Sequence, residues 1–247
     1  MSGVSQLLAG TSQAYPVTVD AADFDGTDYM TRGAGFTGAA DSKTGIVSAW
    51  IRLDGGDAAF LRVIAIATFA LHRNSSNKFA VLGYTSGLSN ILSIPTSSSY
   101  LLGATWYHVL ASWDLANAVG HMYINDVSDV GTTVLTNDTI DYTAADWGVG
   151  ADPDGTELMD GCMSEIYFAP GQYLDFSIIG NRRKFITSGG KPVYLGSNGG
   201  LPTGTAPILY SHLGDGETVA NFATNRGSGG DLSITGTLVT CSSSPSD

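Results

Sequence analysis

The sequence predicts an all-β fold of two antiparallel sheets, and three observations carry that prediction. Gly45 to Leu53 alternates inward and outward positions around Trp50, the period-2 pattern of a strand packed on a core. Trp106 to Asp114 and His121 to Asp126 are rich in aromatic and β-branched residues and flank a short loop, Leu115 to Gly120. Together they read as a β-hairpin with a loop longer than the tightest kind. Charged residues make up only 14% of the chain, against about 25% in ordinary globular domains, while glycine numbers 32. That composition suits many strands joined by tight turns. A length of 247 residues accommodates one large sandwich with an appended segment.

The elements follow in order. Residues 1 to 14 are small and polar and are expected to form an N-terminal arm. Val17, Val19 and Ala21 then alternate with polar neighbours, before Phe24-Asp25-Gly26-Thr27-Asp28-Tyr29. Gly33 to Gly45 is a glycine-rich loop and Asp54 to Asp57 a turn. Ala58 to His72 has helix-forming alanines, yet its Phe, Val, Ile and Thr residues and flanking turns favour one or two strands. Phe79 to Tyr84 and Leu88 to Ile94 form a second predicted hairpin. Trp147 to Gly150 and Leu158 to Phe168 are further strands, separated by an Asp152–Glu157 turn. Asp175 to Ile186 is the one segment expected to be helical, and Leu232, Ile234 and Leu238 predict a last strand docked beside the N-terminal one.

Several of these motifs resemble laminin-G-like, concanavalin A-like domains. Phe24 to Tyr29 is similar to their "F-D-G-x-x-D-Y" opening, Ser48 to Arg52 to a "S-x-W-I/V-R" core strand, and Trp106 to Asp126 to a "W-x-H-V … L-Y-V-D-G" hairpin. Ala145 to Gly150 and Leu158 to Phe168 resemble the closing strands. The resemblance spans about Val17 to Phe168 and implies a two-sheet jelly-roll sandwich, with Trp106 directed against the facing sheet. The division that follows is an arm over 1–14, a sandwich over 15–175, and a C-terminal extension over 176–247. The continuation beyond Phe168 resembles laminin-G-like proteins of tailed bacteriophages, and that likeness implies a virion component.

Charge narrows the function. No Lys or Arg lies between Lys78 and Arg182, and this interval holds 12 of the 23 acids behind the net charge of −12. Such a surface repels phosphate backbones and argues against nucleic-acid binding. The apolar run Ala58 to Leu71 is short and broken by Arg62, so membrane insertion is not expected. The N-terminus shows no basic-then-apolar signal peptide. Cys162 sits in an apolar run and reads as a buried hydrophobe, Cys241 in a Ser-rich tail; a disulfide between them stays open.

No catalytic constellation is visible. Related glucanases use an "E-x-D-x-x-E" strand with paired carboxylates, and none of Glu157, Glu165 and Glu217 has an Asp two residues on. His72, His108, His121 and His212 lack the spacing of a zinc site and read as structural, with His108 and His121 on opposite arms of the hairpin. No cofactor is expected. Calcium is the one metal weighed, with Asp126, Asp129, Asp152 and Asp154 as loop oxygen donors, although Asp is also an ordinary turn residue. Arg182, Arg183 and Lys184, the densest basic cluster, are the candidate contacts with a partner, including another copy of the chain. The expected role is therefore non-catalytic: a phage virion protein that decorates or cements the head as a homo-oligomer, through contacts with virion proteins. The alternative is a tail-fibre or spike lectin that recognises host glycan, with an exposed aromatic beside loop carboxylates.

Overall fold

The computed structural model describes residues 17–247 and holds sixteen strands among them in two eight-stranded sheets. The arm expected over 1–14 lies outside the described residues. The first sheet runs Val127–Ser128 (β10), Val119–Ile124 (β9), Trp106–Asp114 (β8), Thr44–Leu53 (β3), Asp160–Pro170 (β13), Ala22–Asp25 (β1) and Val239–Thr240 (β16). Leu209–Ser211 (β14) joins the second half of β13. The second sheet runs Val134–Leu135 (β11), Asn90–Pro95 (β7), Phe79–Tyr84 (β6), Phe69–Arg73 (β5), Leu61–Ile66 (β4), Trp147–Val149 (β12), Tyr29–Arg32 (β2) and Ser233–Thr235 (β15). All pairings are antiparallel, so the all-β sandwich read from the sequence is the observed architecture. Among the described residues no helix is long and apolar enough to cross a membrane.

The core lies between the sheets. Val47, Ala49, Ile51 and Leu53 of β3 face it, as do Val109, Ala111 and Trp113 of β8. Gly45 lies opposite Trp113, where a Cβ would sit 2.1 Å from the indole, so glycine at that position admits the ring. Trp113 donates through Nε1 to the Tyr142 hydroxyl at 3.2 Å and packs on Phe69. Trp106 does not enter this core. Trp113 lies seven positions further on, an odd offset, so the two indoles occupy opposite faces. Trp106 lies on the outside of the first sheet, packed on Cys162 and Cys241, with Nε1 donating to Ser243 Oγ at 3.1 Å.

The outer face of the first sheet is itself apolar and is covered by the C-terminal extension. Ile46, Leu110, Tyr167, Ala169 and Tyr210 pack there against Phe176, Phe185 and Leu195 in a second core. Ser112 Oγ donates to the Leu174 carbonyl at 2.7 Å. The helix expected over 175–186 contracts to one turn at Ile179–Arg182 (α1), because the segment must follow the sheet rather than its own axis. The end of the chain is strapped down in turn. β16 pairs β1, and Ser243 Oγ also accepts from Arg52 at 2.7 Å. Cys162 and Cys241 form a disulfide, which settles the open question of their redox state in this structure.

Two predictions follow from this layering. Chemical denaturation should show Trp113→Ala losing about 3–5 kcal/mol and Trp106→Ala clearly less; equal losses would contradict the assignment of their faces. Cys241→Ser should cost about 2–4 kcal/mol, because the bridge closes a loop of 79 residues in the unfolded chain. An unchanged urea midpoint would show that the strap carries no stability.

Candidate functional site

With one face of the first sheet buried in the core and the other under the extension, the outer face of the second sheet, partly overlaid by the loop after β12, is the remaining one. One row of it, Gly148, Ala65, Ala70 and Leu82, consists of register partners across β12, β4, β5 and β6, the first three small and buried. The loop after β12 folds back over Gly148, where a Cβ would lie 2.3 Å from the Ala151 carbonyl oxygen. That fold-back brings Asp152 and Glu157 to Arg62, whose Nε lies 3.0 Å from Asp152 Oδ1 and 2.6 Å from Glu157 Oε2. Beside these ion pairs opens a cleft of about 480 Å³ lined by Arg62, Ala67, Ala145, Asp146, Asp152 and Asp154.

Next to Arg62 stands an exposed aromatic. Phe60 is 43% accessible, and its ring lies 5.9 Å from that of His72, the register partner of Arg62. His72 is buried, and burial, reinforced by the Arg62 charge, pushes its pKa down to about 3. It is therefore a neutral support for Phe60 at physiological pH.

The loop that carries Phe60 is pinned by a residue the sequence reading passed over. Arg73 is fully buried and donates to Asp57 Oδ1 at 2.8 Å, to the Tyr100 carbonyl at 2.9 Å and to the Gly56 carbonyl. Asp57 Oδ1 also accepts from the Leu102 amide at 3.2 Å, and Asn77 Oδ1 accepts from the Ala58 amide at 2.8 Å. The Arg73 hydrogen bond holds the Asp57 carboxyl below its ordinary pKa. The available signal was a lone arginine closing an apolar strand, a position that demands carboxylate or carbonyl partners.

The residues singled out in the sequence are placed as follows. Arg182 and Arg183 grip Asp126 of the same chain, at 2.6 Å and 2.7 Å, and Arg182 also covers the Tyr123 ring at 4.4 Å. Lys184 Nζ donates to the Pro202 carbonyl at 2.8 Å. The basic cluster expected to contact a partner is thus engaged within the molecule and fastens the extension to the first sheet. The four calcium candidates do not converge. Asp126 is held by those arginines and Asp152 by Arg62, and Asp154 accepts from the Thr156 amide and hydroxyl.

Asp129 accepts from Ser97, Ser98 and Tyr100. Its burial opposes ionisation, but those hydrogen bonds outweigh it and hold the carboxyl at about 2. His121 lies opposite Ser112 and His108 near Asn125, so the hairpin keeps the two histidines apart. His108 shares a hydrogen bond with Ser48 Oγ at 2.9 Å, and burial lowers its pKa to about 3. Each glutamate has its own partner: Glu157 with Arg62, Glu165 with His212 and Tyr210, Glu217 with Arg226.

Residues 24–170 match the model of the concanavalin A-like lectin/glucanases superfamily, in a laminin-G form. The chain belongs to that family. Among solved structures, a "putative carbohydrate binding protein" from Bacteroides ovatus ATCC 8483 aligns with 93% of this laminin-G-like chain at TM-score 0.63 and 13% identity. The chain spans 61% of that protein's length. The heptameric SAP-like pentraxin of Limulus polyphemus aligns at TM-score 0.49 and 16% identity, over 69% of this chain and 84% of its own. Domains LG4–5 of the mouse laminin α1 chain align at 0.44 and 15%, over 66% and 44%. No curated protein matches the sequence.

The depressed Asp129 pKa has a measurable consequence. A carboxyl whose folded pKa lies below its ordinary value of 3.8 stabilises the fold above that value, and the contribution is lost as pH falls through about 2. Urea unfolding followed against pH should show Asp129→Asn less stable at neutral pH and flatter than the parent between those two values. Parallel acid limbs would refute the role.

Proposed function

We propose that the chain is a non-catalytic, lectin-type module that binds a glycan on the outer face of its second sheet. The observation that carries this reading is the exposed Phe60 beside the Arg62–Asp152–Glu157 ion pairs, on the outer face of the second sheet. The face of an aromatic ring is electron-rich and favours the polarised C–H groups of a pyranose. Carboxylates and a guanidinium already held by one another offer fixed acceptors and donors to sugar hydroxyls, at low ordering cost. Family membership and the description of the Bacteroides neighbour as carbohydrate binding support the ligand class.

The separate commitments of the three glutamates support the non-catalytic part. Glycoside hydrolysis needs two carboxyl groups facing each other across the scissile bond, and each glutamate here answers to a different neighbour.

The virion setting comes from the sequence resemblance to tailed-phage proteins. Within it we place the module with adhesion to the host surface rather than with head cement. A cementing role needs an outward contact surface, for which the basic cluster was the candidate. Arg182, Arg183 and Lys184 serve an internal contact, and the C-terminal segment is strapped to its own sandwich.

A glycan array followed by titration of the best hit tests the reading. Phe60→Ala should weaken binding by roughly tenfold or more, the loss of one well-placed aromatic contact, with the circular dichroism spectrum unchanged. Tyr194→Ala, at the other exposed aromatic among the described residues and in the extension, should leave affinity intact. Full affinity in Phe60→Ala would overturn the assignment.

A further inference from the structure

One row of outward-facing residues crosses the first sheet where the strap lies. Arg52 of β3, Cys162 of β13 and Asp23 of β1 are register partners, and Asp54 reaches the row from the turn after β3. Cys162 Sγ, an oxygen of Asp23 and an oxygen of Asp54 all lie within 4.8 Å of one another. Asp54 Oδ2 lies 3.8 Å from Cys162 Sγ. Cys241 supplies a second sulfur bonded to the first, with the two Cα atoms 6.1 Å apart, outside the set that Cys162 forms with the two carboxylates.

The charge around the row is one-sided. Asp23, Asp25, Asp54 and Asp160 face a single nearby cation, Arg52.

We propose that reduction of the Cys162–Cys241 bond converts this row into a site for a thiophilic divalent cation of the zinc type, held by both thiolates, Asp23 and Asp54. Four N, O or S ligands in a tetrahedron are what zinc takes, with Zn–S near 2.3 Å and Zn–O near 2.0–2.2 Å. Those lengths place ligand atoms about 3.5–4 Å apart, so Asp23 and Asp54 draw slightly closer while the two sulfurs, now bonded to each other, move apart. A phosphine reductant takes one oxygen atom from water and becomes the phosphine oxide, while the disulfide accepts two electrons and two protons to give two thiols. Binding of the cation then releases two thiol protons, so affinity rises with pH. Asp54 Oδ1 keeps its bond from Arg52 Nε, and Oδ2 exchanges its bond from the other guanidinium nitrogen for the metal. The strap that carries residues 239–247 then has two alternative clamps at one point: a covalent one in oxidising surroundings and a metal one in reducing surroundings.

The test uses the full chain, oxidised and phosphine-reduced under argon, titrated with cobalt(II) as a spectroscopic probe and with zinc in competition. The reduced chain should take up one cobalt with sulfur-to-metal charge transfer and tetrahedral d–d bands, and zinc should displace it. The oxidised chain should show neither band. The double variant Cys162→Ser, Cys241→Ser should lose the charge-transfer band. Asp23→Asn and Asp54→Asn, each reduced, should bind zinc weaker by about tenfold or more.

Zinc should also raise the melting temperature of the reduced chain and leave that of the oxidised chain unchanged. No charge transfer in the reduced chain overturns the proposal. So does affinity indifferent to both Asn variants, which would mark coordination by the cysteines alone. Loss of the far-ultraviolet strand signal on reduction, before metal is added, overturns it as well.

Discussion

The structure depends on one constraint: the central strands of the first sheet are apolar on both faces. β3, β8 and β13 are buried along almost their whole length. A sandwich covers only one face of such strands, and an open apolar sheet of this size in water would be an aggregation surface. Residues 171–208 therefore act as a third layer. Phe176, Phe185 and Leu195 enter the row formed by Ile46, Leu110 and Tyr167, and the Arg182–Asp126 and Arg183–Asp126 pairs tie the layer down at the sheet edge.

Covering one face determines what the other can do. With the first sheet closed, the part of the second sheet's outer face at the exposed Phe60 and at Arg62 is the surface left for a ligand, beside the buried small residues Gly148, Ala65 and Ala70. Arg73 and the Asp152–Glu157 loop frame that surface from two sides. One is a buried cation that fixes the loop bearing Phe60, the other a pair of carboxylates brought onto Arg62. The aromatic and the charged groups are thus held by independent contacts before any ligand arrives.

Much of the sandwich was legible because a strand repeats every two residues. The Gly45–Leu53 strand, the hairpin around Leu115 to Gly120 and the strands within Ala58 to His72 all declare themselves by alternation and turn residues. Alternation says that Trp106 and Trp113 lie on opposite faces, but not which face is inside. That depends on a facing sheet dozens of residues away, and the family likeness pointed to the wrong indole. The extension was legible only as a change of character, because its role rests on single aromatic anchors in irregular backbone. The site was least legible. Arg62 meets Asp152 and Glu157 only because β12 pairs β4 across more than eighty intervening residues. The basic cluster looked outward because its counter-ion, Asp126, belongs to a hairpin turn far back in the chain.

The central claim is that the extension is a fixed layer of the sandwich, and amide hydrogen exchange of the full chain tests it most directly. The account predicts that buried amides of the extension, such as those of Phe185 and Ile186, open with the same free energy as those of β3 and β13. Exchange of the extension at near free-peptide rates, while β3 and β13 stay protected, would contradict it. It would also reopen the outer face of the first sheet as the place where a ligand binds.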